Sequence, residues 1–185
     1  MAVGSFAEID GSGPKPRTIL KAILATSLTK RISPEVPLNL PLGRPLQANV
    51  GDRSELLAAL ELSRAIVGEV GGALFYTTAT GHVWVLNTVT SAVAVALKLV
   101  ECAFVSDAFA FRIGVDLGDV YENAENAENA VGGRGEVFER VLTQVQSWPG
   151  SGIACSLAAA TAVGTGSNVD FRTGPVPDTL TPFVS

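Results

Sequence analysis

The sequence predicts an α+β domain: a ferredoxin-like βαββαβ core followed by a C-terminal αβαβ extension. Three observations lead there. Apolar residues recur at helical spacing over 52–72, 89–103 and 136–148. Apolar runs of strand length occupy 17–29, 73–78, 82–86 and 108–120. A tight turn near Gly81 joins two of those strands directly, which gives the split βαβ order. At 185 residues the chain suits one domain with a sizeable core, placed at 17–185 behind a Gly-, Ser- and Pro-rich flexible leader at 1–16.

Each element has a local reason. "RTILKAILATSLT" (17–29) is continuously apolar enough for a buried strand. The following "SPEVPLNLPLGRPLQANVGD" holds four prolines and two glycines, so it is a long loop. The helix over 52–72 is capped by Asp52 or Ser54, with Glu55 three residues after Asp52; Leu56, Leu57, Leu60 and Val67 mark its inner face. Gly71 and Gly72 end it. "VTSAVAVALKLVECA" is a core helix, interrupted by Lys98 and Glu101 and too short to span a bilayer. "YENAENAENAVGGRG" is a solvated low-complexity connector. Its "GGRG" neither directly follows a strand nor carries the Lys-Ser/Thr pair of a phosphate loop. The helix over 136–148 turns Phe138, Val141, Leu142 and Val145 inward; a strand at 149–156, a short helix at 157–164 and a strand at 168–175 complete the chain.

Composition narrows the function. Apolar residues make up 47% and charged ones 17%, so the chain buries a core rather than remaining disordered. A mean hydropathy of +0.34 leaves apolar surface for a subunit interface. A net charge of -5 argues against nucleic acid, whose phosphates need clustered Lys and Arg. Cys102 and Cys155 lie in apolar runs and read as small buried hydrophobes. With one histidine, His82, no multi-imidazole metal site can form. The N-terminus lacks the basic start and apolar block of a signal peptide, so a cytoplasmic protein without a membrane segment is expected.

The strand "FRIGVDLGDV" (111–120) is unusual for a core strand. It carries Gly114 and Gly118 four residues apart, Arg112 at its start, and Asp116 and Asp119 near its end. It resembles the R-I-G-I-H-x-G-x-V strand of the class III nucleotidyl (adenylate/guanylate) cyclase domain, with Asp116 at the usual histidine. Other segments align in order: "VGEVGGALFYTTATGHVWVL" with the G-G-x-x-x-K-x-x-G-D-G hairpin, "TSAVAVALKLV" with the alanine-rich helix, and "GEVFERVLTQVQSWPGSGIACS" with G-D-x-V-N-x-A-A-R-L and P-G-G-I-x-V-S. The resemblance runs over about 17–175.

In that family two aspartates hold two magnesium ions, which activate the ribose hydroxyl and grip the triphosphate. Alignment puts Leu24 and Thr80 at the two aspartates, Tyr76 at the base-reading lysine, and Glu139 and Thr143 at the Asn and Arg that orient ribose and stabilise charge. The adenine-reading position falls near Gly132. Leucine cannot ligate magnesium, and a carboxylate at 139 would repel a triphosphate. No catalytic group is therefore intact, and neither a metal nor another cofactor is expected.

The resemblance implies a catalytically silent cyclase-homology domain. It would act as a homodimer, or as the regulatory partner of another cyclase-type domain in signalling. Two alternatives stand beside it. The vestigial cleft could bind a nucleotide or other small molecule through Tyr76, Thr78, Thr80 and Trp84, which share one strand parity, together with Arg112, Gly114, Asp116 and Gly118. Or metal ligands could have moved to Asp116, Asp119 or Glu139, leaving an active cyclase. As plain residues, Asp116 and Asp119 are expected to be solvated strand-end carboxylates, His82 a surface or interface residue, and Tyr76 and Trp84 interface aromatics.

Overall fold

A computed structural model describes residues 18–30, 50–78, 80–103, 109–121, 136–149, 151–164 and 168–184. The leader, the 31–49 loop, the ENA repeat, Gly132 and the GGRG stretch lie outside the described residues. The elements are β1 (Thr18–Lys30), α1 (Val50–Glu69), β2 (Ala73–Thr77), β3 (His82–Leu86), α2 (Val89–Ala103), β4 (Phe109–Tyr121), α3 (Glu136–Ser147), β5 (Gly152–Ser156), α4 (Leu157–Val163), β6 (Val169–Thr173) and β7 (Thr179–Val184). They form one seven-stranded sheet in the order β2-β3-β1-β4-β5-β7-β6. Its first four places are the ferredoxin-like arrangement, with β1 antiparallel to both β3 and β4. The β1–β4 ladder is the spine, running from Thr18↔Tyr121 to Lys30↔Phe109. β4 and β5 are parallel and joined through α3.

The two sheet faces bury different sets. One face packs Ala22, Leu24, Trp84, Leu86, Phe111, Ile113 and Val115 beneath α2, with Ile66 and Val67 of α1 and Ala159 of α4 closing the layer. The other packs Ile23, Ala25, Val83 and Val120 beneath Val137, Phe138, Val141 and Val145 of α3. Phe75 stacks on Phe138, with ring centroids 4.2 Å apart, and ties the hairpin to this second layer. On α1 the buried stripe is Ser63, Ile66 and Val67, with Leu56 and Leu60 packed beside it; Leu57, expected inside, is 54% exposed.

The final strand was not predicted. "TLTPFV" contains Pro182 and follows Pro175 and Pro177, features that count against a strand. β7 tolerates them because its pairing with β5 covers only Leu180 and Thr179, short of Pro182. β7 inserts between β5 and β6, so the predicted last strand becomes the sheet edge.

The glycines of β4 have a packing reason. A Cβ on Gly114 would sit 2.9 Å from both the Val141 carbonyl and the Val145 side chain, and one on Gly118 2.7 Å from Val137 Cβ. These glycines let α3 of this same chain lie directly on the strand. Gly114→Ala should cost about 2 kcal/mol, because a helix backbone cannot yield as a side-chain tip can. Urea unfolding checks this; an unchanged midpoint would show that α3 is not seated so closely.

Candidate functional site

The β2–β3 hairpin brings its tip onto β1. The Leu28 N–H donates to the Thr80 carbonyl (2.8 Å), and the Thr78 N–H to the Gly81 carbonyl (2.8 Å). Gly81 is obligatory here: a Cβ would lie 1.8 Å from the Thr26 carbonyl oxygen. The Thr26 hydroxyl accepts from the His82 N–H (3.1 Å) and donates to the His82 carbonyl (3.2 Å), locking the two strands together. Beyond it, Ser27 Oγ and Thr80 Oγ1 meet at 3.2 Å. Thr78 Oγ1 closes the turn, donating to the Gly81 carbonyl and accepting from the Thr80 N–H.

The backbone places Thr80 beside Leu28 and its hydroxyl against Ser27, while Leu24 pairs with Trp84 four residues further along the hairpin. Leu24 lies deeper, fully buried between Trp84 on β3 and Val115 on β4. On either alignment the donor set is the same in kind. It consists of hydroxyls and a leucine, with no carboxylate and with the Thr26 hydroxyl already committed to His82. Such a set does not fit a magnesium ion, which is bound through carboxylates and phosphates. Among the described residues no group of three or more His, Cys, Asp or Glu could hold a metal.

The remaining predicted site residues scatter. Tyr76 is on edge strand β2 and 45% exposed. Trp84 does not share its face: a register shift between Leu74 and Tyr76 breaks the alternation, and Trp84 is buried in the α1–α2 layer. Arg112 sits on β4 across from Ser27 on one side and Gly152 on the other. Gly114 and Gly118 lie against α3, where an added Cβ would meet Val141, Val145 or Val137. Glu139 and Thr143 are exposed on α3, where the Thr143 hydroxyl donates to the Glu139 carbonyl (2.8 Å). They border a groove of about 430 Å³ facing Asp178, in which Thr80 takes no part.

Two expectations are corrected by burial. Asp116 is not a solvated strand end; its side chain is fully buried. Arg140 Nε donates to Oδ2 (2.9 Å), while the Ser156 hydroxyl (2.6 Å) and the Leu117 N–H (2.7 Å) donate to Oδ1. This network joins β4, α3 and the start of α4, where Ser156 also caps the Ala159 N–H (3.1 Å). The hydrogen bond that Arg140 donates to Asp116 raises the Arg140 pKa, and burial, with Asp116 adding to it, pushes the Cys155 thiol up to about 12. That thiol is inert at neutral pH. Asp119, by contrast, is exposed as expected.

His82 is likewise not at the surface. It is 1% exposed, packed edge-on against Trp84 at 5.3 Å, with Nδ1 3.3 Å from Thr77 Oγ1. Nε2 makes no hydrogen bond of good geometry among the described residues. Burial lowers its pKa and Arg64 adds to the fall; Glu61 and the Leu60 carbonyl oppose it less strongly. The neutral ring is thus the native form. As pH falls below the ordinary value of 6.5, the unfolded chain takes up a proton that the fold refuses, so stability drops toward the lowered pKa. Thermal melts from pH 7.5 to 5 should show this drop, and His82→Phe should flatten it; an equally steep variant would exclude His82 as its source.

Neither a family model nor any curated protein matches the sequence. The fold does match solved structures. It is that of adenylate and guanylate cyclase catalytic domains. The chain is similar to an adenylate/guanylate cyclase/hydrolase from Silicibacter pomeroyi, with TM-score 0.63 and 16% identity over 90% of this chain and 95% of that one. It is similar to the adenylyl cyclase CyaB from P. aeruginosa (TM-score 0.59, 10% identity, 90% and 94% covered). A third is an adenylate cyclase from Trypanosoma brucei in its monomeric state (0.60, 11%, 93% and 91%). No described helix is long and apolar enough to cross a membrane.

Proposed function

We propose that this chain is a cyclase-fold domain without cyclase chemistry, which acts by associating with a second domain of the same fold. The observation that carries it is the tip where the hairpin meets β1: Ser27 and Thr80 meet there as hydroxyls, and the positions that the family resemblance gives to the metal-binding aspartates hold Leu24 and Thr80, neither a carboxylate. Glu139 adds negative charge on α3 where a triphosphate would need a donor. Loss of a single charge-stabilising group costs a few powers of ten in rate, and here several are replaced together. Association is supported by apolar groups at the β2 end of the sheet, where Val70, Leu74 and Tyr76 remain exposed.

Purified protein given ATP or GTP with magnesium or manganese should form no cyclic nucleotide above background, and sedimentation should show a dimer or capture of a cyclase-type partner. Turnover above background would refute the first half; a strict monomer that captures no such domain would refute the second.

The vestigial-cleft alternative draws on the same tip, now as a patch of hydroxyls beside Arg112. Saturable shifts in melting temperature with nucleotides lacking metal would favour it over pairing. Relocation of the metal ligands to Asp116, Asp119 and Glu139 has no geometric support: the first is committed to Arg140, and the three form no cluster.

A further inference from the structure

A groove of about 670 Å³ opens between the C-terminal half of α2, the α3–β5 turn and the β6–β7 hairpin. No residue of the hydroxyl tip lines it. Its size and character fit a small-molecule site: a mainly apolar wall with few polar groups. Leu97 and Val100 come from α2, Ile153 from β5 and Pro182 from β7. Trp148, only 5% exposed, also lines it.

That indole is held in place. Its Nε1–H donates to the Ser151 carbonyl (3.3 Å). A Cβ on Gly152 would lie 3.2 Å from Nε1, and one on Gly174 3.2 Å from Cη2, so glycine on both sides keeps room for the ring. Gly152 also has φ +138°, a conformation that side chains rarely adopt. A fixed aromatic flanked by proline and branched residues offers apolar contact at little entropic cost.

Polarity is lopsided. Arg172 of β6 is the one charged residue lining the groove among the described residues, and no carboxylate lines it. Asp170, two residues back on the same strand, does not reach it as an ion pair. We propose that this groove binds an apolar molecule carrying one anionic head group, with its hydrocarbon along Trp148 and the head at Arg172. The inference does not depend on the cyclase comparison.

The probes are octanoate, below its micelle-forming concentration, and neutral 1-octanol. Binding is read from the Trp148 indole N–H resonance of the full chain, distinguished from that of Trp84 in a Trp84→Phe variant. Octanoate should shift the Trp148 signal saturably. Arg172→Gln, at an exposed position, should weaken octanoate about fivefold, the effect of one exposed ion pair, and leave octanol unchanged. No saturable shift, unchanged octanoate affinity in Arg172→Gln, or equal weakening of both probes would each overturn the proposal. Calorimetry with wild-type protein repeats the first measurement without any substitution.

Discussion

Leu24→Asp is expected to leave the chain unfolded or nearly so at room temperature. Leu24 has no exposed surface and packs between Trp84 and Val115 at the centre of the larger core layer. Truncating a buried leucine alone costs about 2–5 kcal/mol. The carboxyl that replaces it has no polar partner, so it adds the desolvation of a polar group and must titrate upward to remain neutral. The sum, about 5 kcal/mol, equals the whole stability of many domains. Ser27→Asp and Thr80→Asp, at the two positions whose hydroxyls meet at the hairpin tip, should be tolerated within about 1 kcal/mol. That pair should also gain manganese affinity measurable by electron paramagnetic resonance. Denaturant midpoints of the three variants decide the matter. A stable Leu24→Asp protein that binds manganese would restore Leu24 and Thr80 as the metal positions and displace the Ser27–Thr80 tip.

Most of the core order was legible because its signals are local. Gly71 and Gly72 end α1, Gly81 turns the hairpin, and the valine–phenylalanine stripe of α3 has helical period. What failed was long-range. The parity shared by Tyr76 and Trp84 assumed an unbroken strand, and a register shift after Leu74 put them on different faces. His82 looked superficial because nothing local says which face of β3 lies under α1. Gly114 and Gly118 were expected to border a ligand cleft, but the surface that approaches them is this chain's own α3. Arg140 could have been found. It is the one basic residue of 136–148 and borders the buried stripe, and Asp116 shares strand parity with the two glycines beneath that helix. A carboxylate under a helix needs a cation, and one was available.

Arg140→Met should therefore cost about 3 kcal/mol, although Arg140 itself is 44% exposed. An exposed ion pair would contribute little, and solvent reaching the guanidinium discounts its side of this one. The larger effect is on Asp116, which stays at 0% exposure and keeps only the Ser156 hydroxyl and the Leu117 N–H. Removing one partner of a buried pair leaves a charge with incomplete compensation, a heavier penalty than the pair's net worth. The cycle separates the two contributions. Asp116→Asn keeps acceptor capacity for Ser156 and Leu117 and removes the charge, so Asp116→Asn combined with Arg140→Met should recover at least about 1 kcal/mol relative to Arg140→Met alone. Because the network also fixes the Ser156 cap, amide exchange in α4 should quicken in Arg140→Met and slow again in the double variant. A loss below about 1 kcal/mol in Arg140→Met, or no recovery in the double variant, would mean that α3 is held to β4 by its valines and Phe138 alone, with the ion pair incidental.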